Sequence, residues 1–358
     1  MSSSQESAER GALLELINSG ASAQLSDADF NDYALKVFGF QYRHNAPYRA
    51  YCDRRERTPA TVKDWREVPA VPTAGFKEIL LVSGDAADAE VTFRTSGTTR
   101  GVEKRGQHLV LDSALYRASL VGGFKHFVMN DAEHMRMLSL MPTFDELPES
   151  SLAYMIDTLL HECGSKDSTT AATVRDGINT KHIDEFLRAS SEPVCILGTS
   201  LAYLHWLEGT ASSYQLPAGS RLMDTGGFKG EKRDLTPTEL RVLYQERLGI
   251  PPSHCWNEYG MTELCSQYYS NDDFVKRAPT WLRFRIVHPE TLQAVTPGEH
   301  GLIQHYDLGN LYSVSAVLTE DVGYESEDGF VLEGRMAGAT PRGCSIAMDI
   351  LLSDAQRA

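Results

Sequence analysis

Nowhere does the chain run the roughly 18–20 uninterrupted apolar residues that a membrane-spanning helix needs. Its start, Met1-Ser-Ser-Ser-Gln-Glu-Ser7, has neither the basic nor the apolar region of a secretory leader. Basic residues are in deficit: 34 Lys and Arg face 49 Asp and Glu, a formal net charge of −15. That balance excludes the basic stripes used in general nucleic-acid or anionic-membrane binding, and leaves phosphate recognition to a built local pocket. Paired C-x-x-C spacing is absent among the six cysteines, so the expectation is reduced thiols in a cytoplasmic protein. Internal repeats and low-complexity tracts are also missing.

What is present is ordinary for a globular chain with a sizeable core: 358 residues, 42% hydrophobic and 23% charged. Helical periodicity marks residues 8–19, and Asp27 to Phe38 behind a capping Ser26; His44 to Arg55 continues as helix. Prolines at 59, 69 and 72 then punctuate a connector, which ends in the short apolar segment Phe76 to Leu81. From residue 91 strands and helices alternate. Arg136 to Met141, Val194 to Leu197 and Arg221 to Met223 read as strands. Ser150 to Glu162, Ile183 to Ala189, Ser200 to Leu207 and Thr236 to Leu248 read as helices, and Gly164 to Arg175 as a polar loop. Beyond Trp281 short strands are separated by Pro, Gly and Asp turns. The pattern predicts an α/β fold with parallel-rich sheet flanked by helices, closed by an antiparallel β segment. The expected division is a core over 1–333 and a tail over 334–358. The core has a helical part (1–90), an α/β part (91–280) and a β-rich part (281–333).

Several stretches carry chemistry. The β-favouring Val91 to Phe93 leads into Thr95-Ser-Gly-Thr-Thr99, with Gly101 and Lys104 beyond and a helix from Asp112 to Phe124. Glycine lets main-chain N–H groups approach a polyphosphate, hydroxyls donate further bonds and a cation offsets charge; the same composition also makes an ordinary polar loop. The spacing is not the Walker pattern. Asn257-Glu-Tyr-Gly-Met-Thr-Glu263 sets a ring, a hydroxyl and a carboxylate after a β-like run. Such a loop suits base stacking, a phosphate contact and Mg²⁺, or else a plain turn with a capping Glu. Asp321, leaving a strand end, fits a ribose diol or a solvated turn. Arg335 after Gly334 fits a nucleotide or a surface carboxylate, and Thr225-Gly-Gly227 fits a planar base or a glycine turn.

In this order, Thr95-Ser-Gly-Thr-Thr99, Tyr259-Gly-Met-Thr-Glu263, Thr319-Glu-Asp321, Asp328-Gly329 and Gly334-Arg335 resemble the motif series of the adenylate-forming superfamily. That superfamily holds acyl-CoA synthetases, luciferases and peptide-synthetase adenylation domains. With Phe93-Arg94, Met141-Pro-Thr-Phe144 and Arg342-Gly-Cys-Ser345 added, the chain is similar to its acyl-protein synthetase (LuxE-type) branch. The resemblance implies the large-domain fold of that superfamily and ATP- and Mg²⁺-dependent activation of a carboxylic acid of the fatty class. The acyl group would then pass to a protein thiol, with a reductase or carrier protein as acceptor partner. It implies that Thr95, Ser96, Gly97, Thr98, Thr99 and Lys104 hold the β- and γ-phosphates, and that Tyr259 and Gly227 flank adenine. Thr262 would touch the α-phosphate, Glu263 bind Mg²⁺, and Asp321 and Arg335 bind ribose. Direct ligation to coenzyme A or an amine, and a nucleotide binder without catalysis, stand as alternatives.

Two departures from the superfamily pattern stand out. Arg100 intervenes where the loop has glycine and shifts the lysine by one residue, which makes Arg100 and Arg105 substitutes for Lys104. The mobile C-terminal domain with its lysine is expected to be lacking. The resemblance also implies self-acylation on a C-terminal cysteine, which makes Cys344 the expected acyl acceptor, on a flexible glycine-flanked tail with Arg342 lowering its pKa; a small inert turn residue is the other reading. Met348 to Leu352 is read as a partner-docking helix.

Overall fold

The computed structural model describes residues 3–22, 24–95, 105–226, 235–336 and 342–352. It divides into two compact units: Met1–Gly122 with Gly260–Gln267 and Arg277–Ala358, and Gly123–Tyr259 with Tyr268–Lys276.

The second unit is the α/β part. Its sheet runs in the order Tyr268–Ser270, Cys255–Tyr259, Arg221–Thr225, Val194–Thr199, Arg136–Ser139, Thr169–Thr170. Every neighbour pair is parallel except the first, where Tyr259 faces Tyr268 antiparallel. Helices cover both faces of such a sheet, so its inner strands can be apolar on both sides, and Val194, Cys195, Ile196 and Leu197 are buried in succession. The helix Ser151–Cys163 turns Ala153, Ile156 and Leu159 inward at helical spacing, and Ser150 caps it by accepting from the Ala153 N–H at 3.2 Å. Pro237–Leu248 begins with a full capping box: Thr236 accepts from the Glu239 N–H, and Glu239 accepts from the Thr236 N–H. Thr236→Ala is expected to lower unfolding free energy by about 1 kcal/mol, read as a shift of the urea midpoint at unchanged slope.

The first unit joins N-terminal helices to an antiparallel meander. Leu282–Val287, His300–Asp307, Ala316–Ser326 and Gly329–Arg335 pair in chain order, and Val71–Pro72 adds in parallel to Ala316–Ser326. Val91–Arg94 and Gln107–Val110 form a separate two-stranded ribbon. The helix Asp27–His44 buries Phe30, Ala34, Val37, Phe38 and Gln41, a stripe of 3- and 4-residue steps, behind the Ser26 cap.

Three expectations change. Gly164 to Arg175 is not all loop: Thr169–Thr170 and Ala172–Thr173 are strands, each too short to leave a periodic signature. Asp321 lies in the middle of an eleven-residue strand rather than at a strand end. The run Thr319-Glu-Asp321 hides that strand because polar residues break its alternation, and a register shift between Val322 and Gly323 resets it. Gly323 is required there, since a Cβ would stand 2.2 Å from the Val331 carbonyl oxygen. Third, Met348 to Leu352 belongs to a longer helix, Arg342–Leu352, docked on its own unit with Cys344, Ala347 and Leu351 buried.

Candidate active site

Thr95 sits at the end of the 91–94 strand, where the ribbon closes on itself. Its N–H donates to the Gly106 carbonyl at 2.9 Å, and its hydroxyl accepts from the Gly106 N–H at 2.9 Å. Arg105 adds Nε to the Thr95 carbonyl at 2.8 Å. Gly106 allows this closure: a Cβ would lie 3.0 Å from Thr95 Cγ2 and 3.3 Å from the Phe76 carbonyl. Ser96, Gly97, Thr98, Thr99, Arg100 and Lys104 lie outside the described residues, as does Gly227.

Thr262 and Glu263 occupy Gly260–Gln267, which packs with the first unit. Glu263 is 8% exposed, and burial lifts its carboxyl pKa from 4.5 to about 7. The charges of Arg335 and Lys77 pull against that rise and Asp321 adds to it, so these side chains share one electrostatic neighbourhood. Asp321 and Arg335 are register partners on adjacent strands. Arg335 Nη2 and Nε also bond Glu320 Oε2, at 2.7 and 3.1 Å, so it pairs with a surface carboxylate as the plainer reading held. The Asp321 N–H donates to the Thr319 hydroxyl at 3.1 Å, which itself donates to Ile303 O at 2.8 Å. Among the described residues no group of three His, Cys, Asp or Glu forms a metal cage. A single buried carboxylate fits Mg²⁺ nonetheless, because that ion is usually held by one or two carboxylates plus substrate phosphates and water.

Tyr259 ends the 255–259 strand in the second unit, 8% exposed, its ring 5.9 Å from that of Tyr268. Beneath it lies a buried polar network at the carboxyl ends of parallel strands, where α/β sheets bind ligands. The Thr225 hydroxyl donates to Glu258, and Lys276 donates to Asn257 O at 3.0 Å. Asp224 accepts from Asn257 Nδ2 at 2.5 Å and from the Tyr244 hydroxyl at 2.8 Å, and pairs with Arg241. Burial pushes the Glu258 carboxyl up to about 7 against the Thr225 bond and the Lys276 charge. It also brings the Lys276 ammonium down to about 7 against Asp224 and Glu258. This network holds the strand ends that carry Thr225 and Tyr259.

Cys344 departs from its expectation. It stands in the first turn of the docked helix, 2% exposed, among Val287, Leu302 and Leu318. Burial, with Glu320 adding to it, raises the thiol pKa from 9.0 to about 11, opposite to the expected lowering by Arg342. The helix is held at both ends: the Gly343 N–H donates to Pro289 O at 2.9 Å, and Arg54 Nη1 donates to Ile350 O at 2.5 Å. A Cβ on Gly343 would meet that Pro289 oxygen at 2.5 Å, so the glycine serves close packing rather than a swinging tail.

Sequence reasoning missed Lys77, Glu320, Lys276 and His108. Lys77, Lys276 and His108 are lone polar residues in unremarkable runs and Glu320 is the unassigned middle residue of Thr319-Glu-Asp321, so only tertiary pairing gives them meaning.

Residues 18–352 match the family model described as acyl-protein synthetase, LuxE. The chain is 23% identical over 328 residues to the long-chain-fatty-acid–luciferin-component ligase of Aliivibrio fischeri, covering 87% of this chain and 86% of that one. Among solved structures, 2-hydroxyisobutyryl-CoA ligase in the postadenylation state with 2-HIB-AMP aligns with a TM-score of 0.67 at 12% identity. That alignment covers 87% of this chain and 68% of the ligase. ATP-bound MatB from Rhodopseudomonas palustris aligns with a TM-score of 0.52 at 14% identity, covering 71% of this chain and 49% of MatB. The fold is that of the large domain of adenylate-forming ligases, and the chain belongs to the LuxE acyl-protein synthetase family.

Proposed function

We propose that the protein activates a carboxylic acid, of the fatty class, with ATP and passes the acyl group to a thiol. In the first step a carboxylate oxygen bonds to the α-phosphorus of ATP and the bond to the bridging oxygen breaks, releasing pyrophosphate and leaving an acyl-adenylate. In the second, a thiol sulfur bonds to the acyl carbon, the thiol proton passes to solvent, and AMP leaves.

One observation carries the reading: Asp321 and Arg335 are register partners on adjacent strands, and the turn bearing Thr262 and Glu263 packs into the same unit, where the charges of Arg335, Lys77 and Asp321 act on the Glu263 carboxyl. In this reading Asp321 and Arg335 hold the ribose, Thr262 touches the α-phosphate, and Tyr259 with Gly227 flanks adenine. Thr95 to Thr99 and Lys104 hold the outer phosphates. Glu263 would hold Mg²⁺, which supplies charge neutralisation at the phosphate oxygens. The protein's share of catalysis is positioning and fixed charge.

The test is pyrophosphate release screened over fatty, aromatic and amino acids. A fatty acid is expected to give acid-dependent release, and release that ignores the acid sinks the reading. The burial of Cys344 favours a second form of the transfer step, delivery straight to a soluble thiol such as coenzyme A.

A further inference from the structure

The stretch Gly260–Gln267 is packed with the first unit although its chain neighbours on both sides belong to the second. Three buried side chains from elsewhere in the first unit grip it. His108 Nδ1 bonds the Thr262 carbonyl at 2.6 Å. A carbonyl can only accept, so Nδ1 carries the proton. Asn310 Nδ2 donates to the Glu263 carbonyl at 2.9 Å and to Val314 O at 2.9 Å. Asp307 Oδ2 accepts the Cys265 and Ser266 N–H groups at 2.8 and 2.9 Å, while Oδ1 accepts the Ser266 hydroxyl at 2.6 Å and the Gly309 N–H at 2.9 Å. His108, Asp307 and Asn310 are 2%, 0% and 1% exposed, a dry setting in which such bonds are costly to lose.

On Thr262 and Glu263 these bonds end on main-chain carbonyls, so they fix the backbone from which the two side chains project. His108 makes a second connection. It lies on Gln107–Val110, register partner of Phe93 on the strand that runs into Thr95. One imidazole thus ties the base of the hydroxyl- and glycine-rich loop to the turn bearing Thr262 and Glu263.

We infer that His108, with Asp307 and Asn310, is a positioning residue that fixes Thr262 and Glu263 against the strand ribbon leading into the phosphate loop. The functional half of this inference rests on the adenylation reading above; the positioning half does not. In the full chain, His108→Leu removes the donor, and His108→Asn keeps an N–H close to the place of Nδ1. Two readouts are paired: hydrogen exchange of peptides covering 260–267 without ligand, and KM against kcat for Mg–ATP in acid-dependent pyrophosphate release.

His108→Leu is expected to speed exchange in 260–267 about tenfold and to raise KM for Mg–ATP by about tenfold, as loss of an outer-shell partner typically does. Exchange in the second unit is expected to stay unchanged, and His108→Asn to restore both quantities. Unchanged exchange in 260–267, or equal acceleration along the whole chain, overturns the inference. So does loosened exchange with KM unmoved in an active enzyme. Should the wild type release no pyrophosphate with any acid, the adenylation reading fails and the exchange arm alone decides the positioning. If His108→Leu does not fold, Asn310→Ser provides the same comparison at the Glu263 carbonyl.

Discussion

Glu263→Gln is expected to lower acid-dependent pyrophosphate release by about 10²-fold or more while the fold survives. The magnitude follows from losing a charge aimed at phosphate chemistry in a dry site, where one well-placed group is typically worth about 10²–10³ in rate. The amide nearly matches the carboxyl in volume, and its surroundings already favour a neutral group, because burial holds the wild-type carboxyl at a pKa of about 7. That shift sets a pH signature. A carboxyl must lose its proton to meet a divalent cation, so Mg–ATP affinity rises with pH up to about 7 and levels off above it. In the free chain the sign is opposite. A carboxyl pKa raised from 4.5 to about 7 favours the folded state at low pH, and that contribution is lost as pH climbs through 7. Calorimetric titration of Mg–ATP between pH 5.5 and 8.5 reads the first effect. A Glu263→Gln profile as steep as the wild type's removes Glu263 from the site.

If the acyl group passes through Cys344 on its way to the acceptor, Cys344→Ser is expected to abolish the hydroxylamine-labile acyl adduct formed from ATP and fatty acid, while pyrophosphate release continues. Intact-mass spectrometry with and without hydroxylamine reads it, and Cys344→Ala guards against the cost of burying a hydroxyl. The structure adds a rate law to this expectation. With the thiol at about 11 instead of 9.0, thiolate at neutral pH is about a hundredfold scarcer. Adduct formation should therefore be slow at pH 7 and climb about tenfold per pH unit toward 10. A wild type that acylates rapidly at pH 7 with no pH slope means that the helix 342–352 has left its seat during turnover. A wild type that never forms a hydroxylamine-labile adduct transfers the acyl group directly to a soluble thiol.

The sequence made the α/β order legible because its strong periodicities are local. Ser26 announced a helix start by residue type and caps as read, while Ser150 and Thr236, at which their predicted helices open, are the capping residues just before the first turn. The motif order from Thr95 to Arg335 pointed to the right family. What stayed hidden was tertiary. No pattern around Cys344 says that positions 344, 347 and 351 form one buried face, since a short glycine-flanked run reads equally as tail or helix. The Asp321 strand was masked by polar residues whose backbone pairing with Arg335 is set from across the sheet. His108 and Asp307 are single residues whose role depends on partners 154 and 41 or more positions away.

The threading of the chain bears on its synthesis. The second unit is complete once Lys276 has been made, but the first still lacks everything from Arg277 onward. The turn with Thr262 and Glu263 emerges before Asp307 and Asn310, the groups that will hold it. On the ribosome the α/β unit therefore closes first, with its 260–267 segment waiting for later-made partners. Such long-range closure is slow and exposes the unfinished meander. A fragment that ends after Lys276 and before Asp307 is therefore expected to keep the sheet of the second unit while lacking both Asp307 and Asn310, and with them the bonds they give the turn.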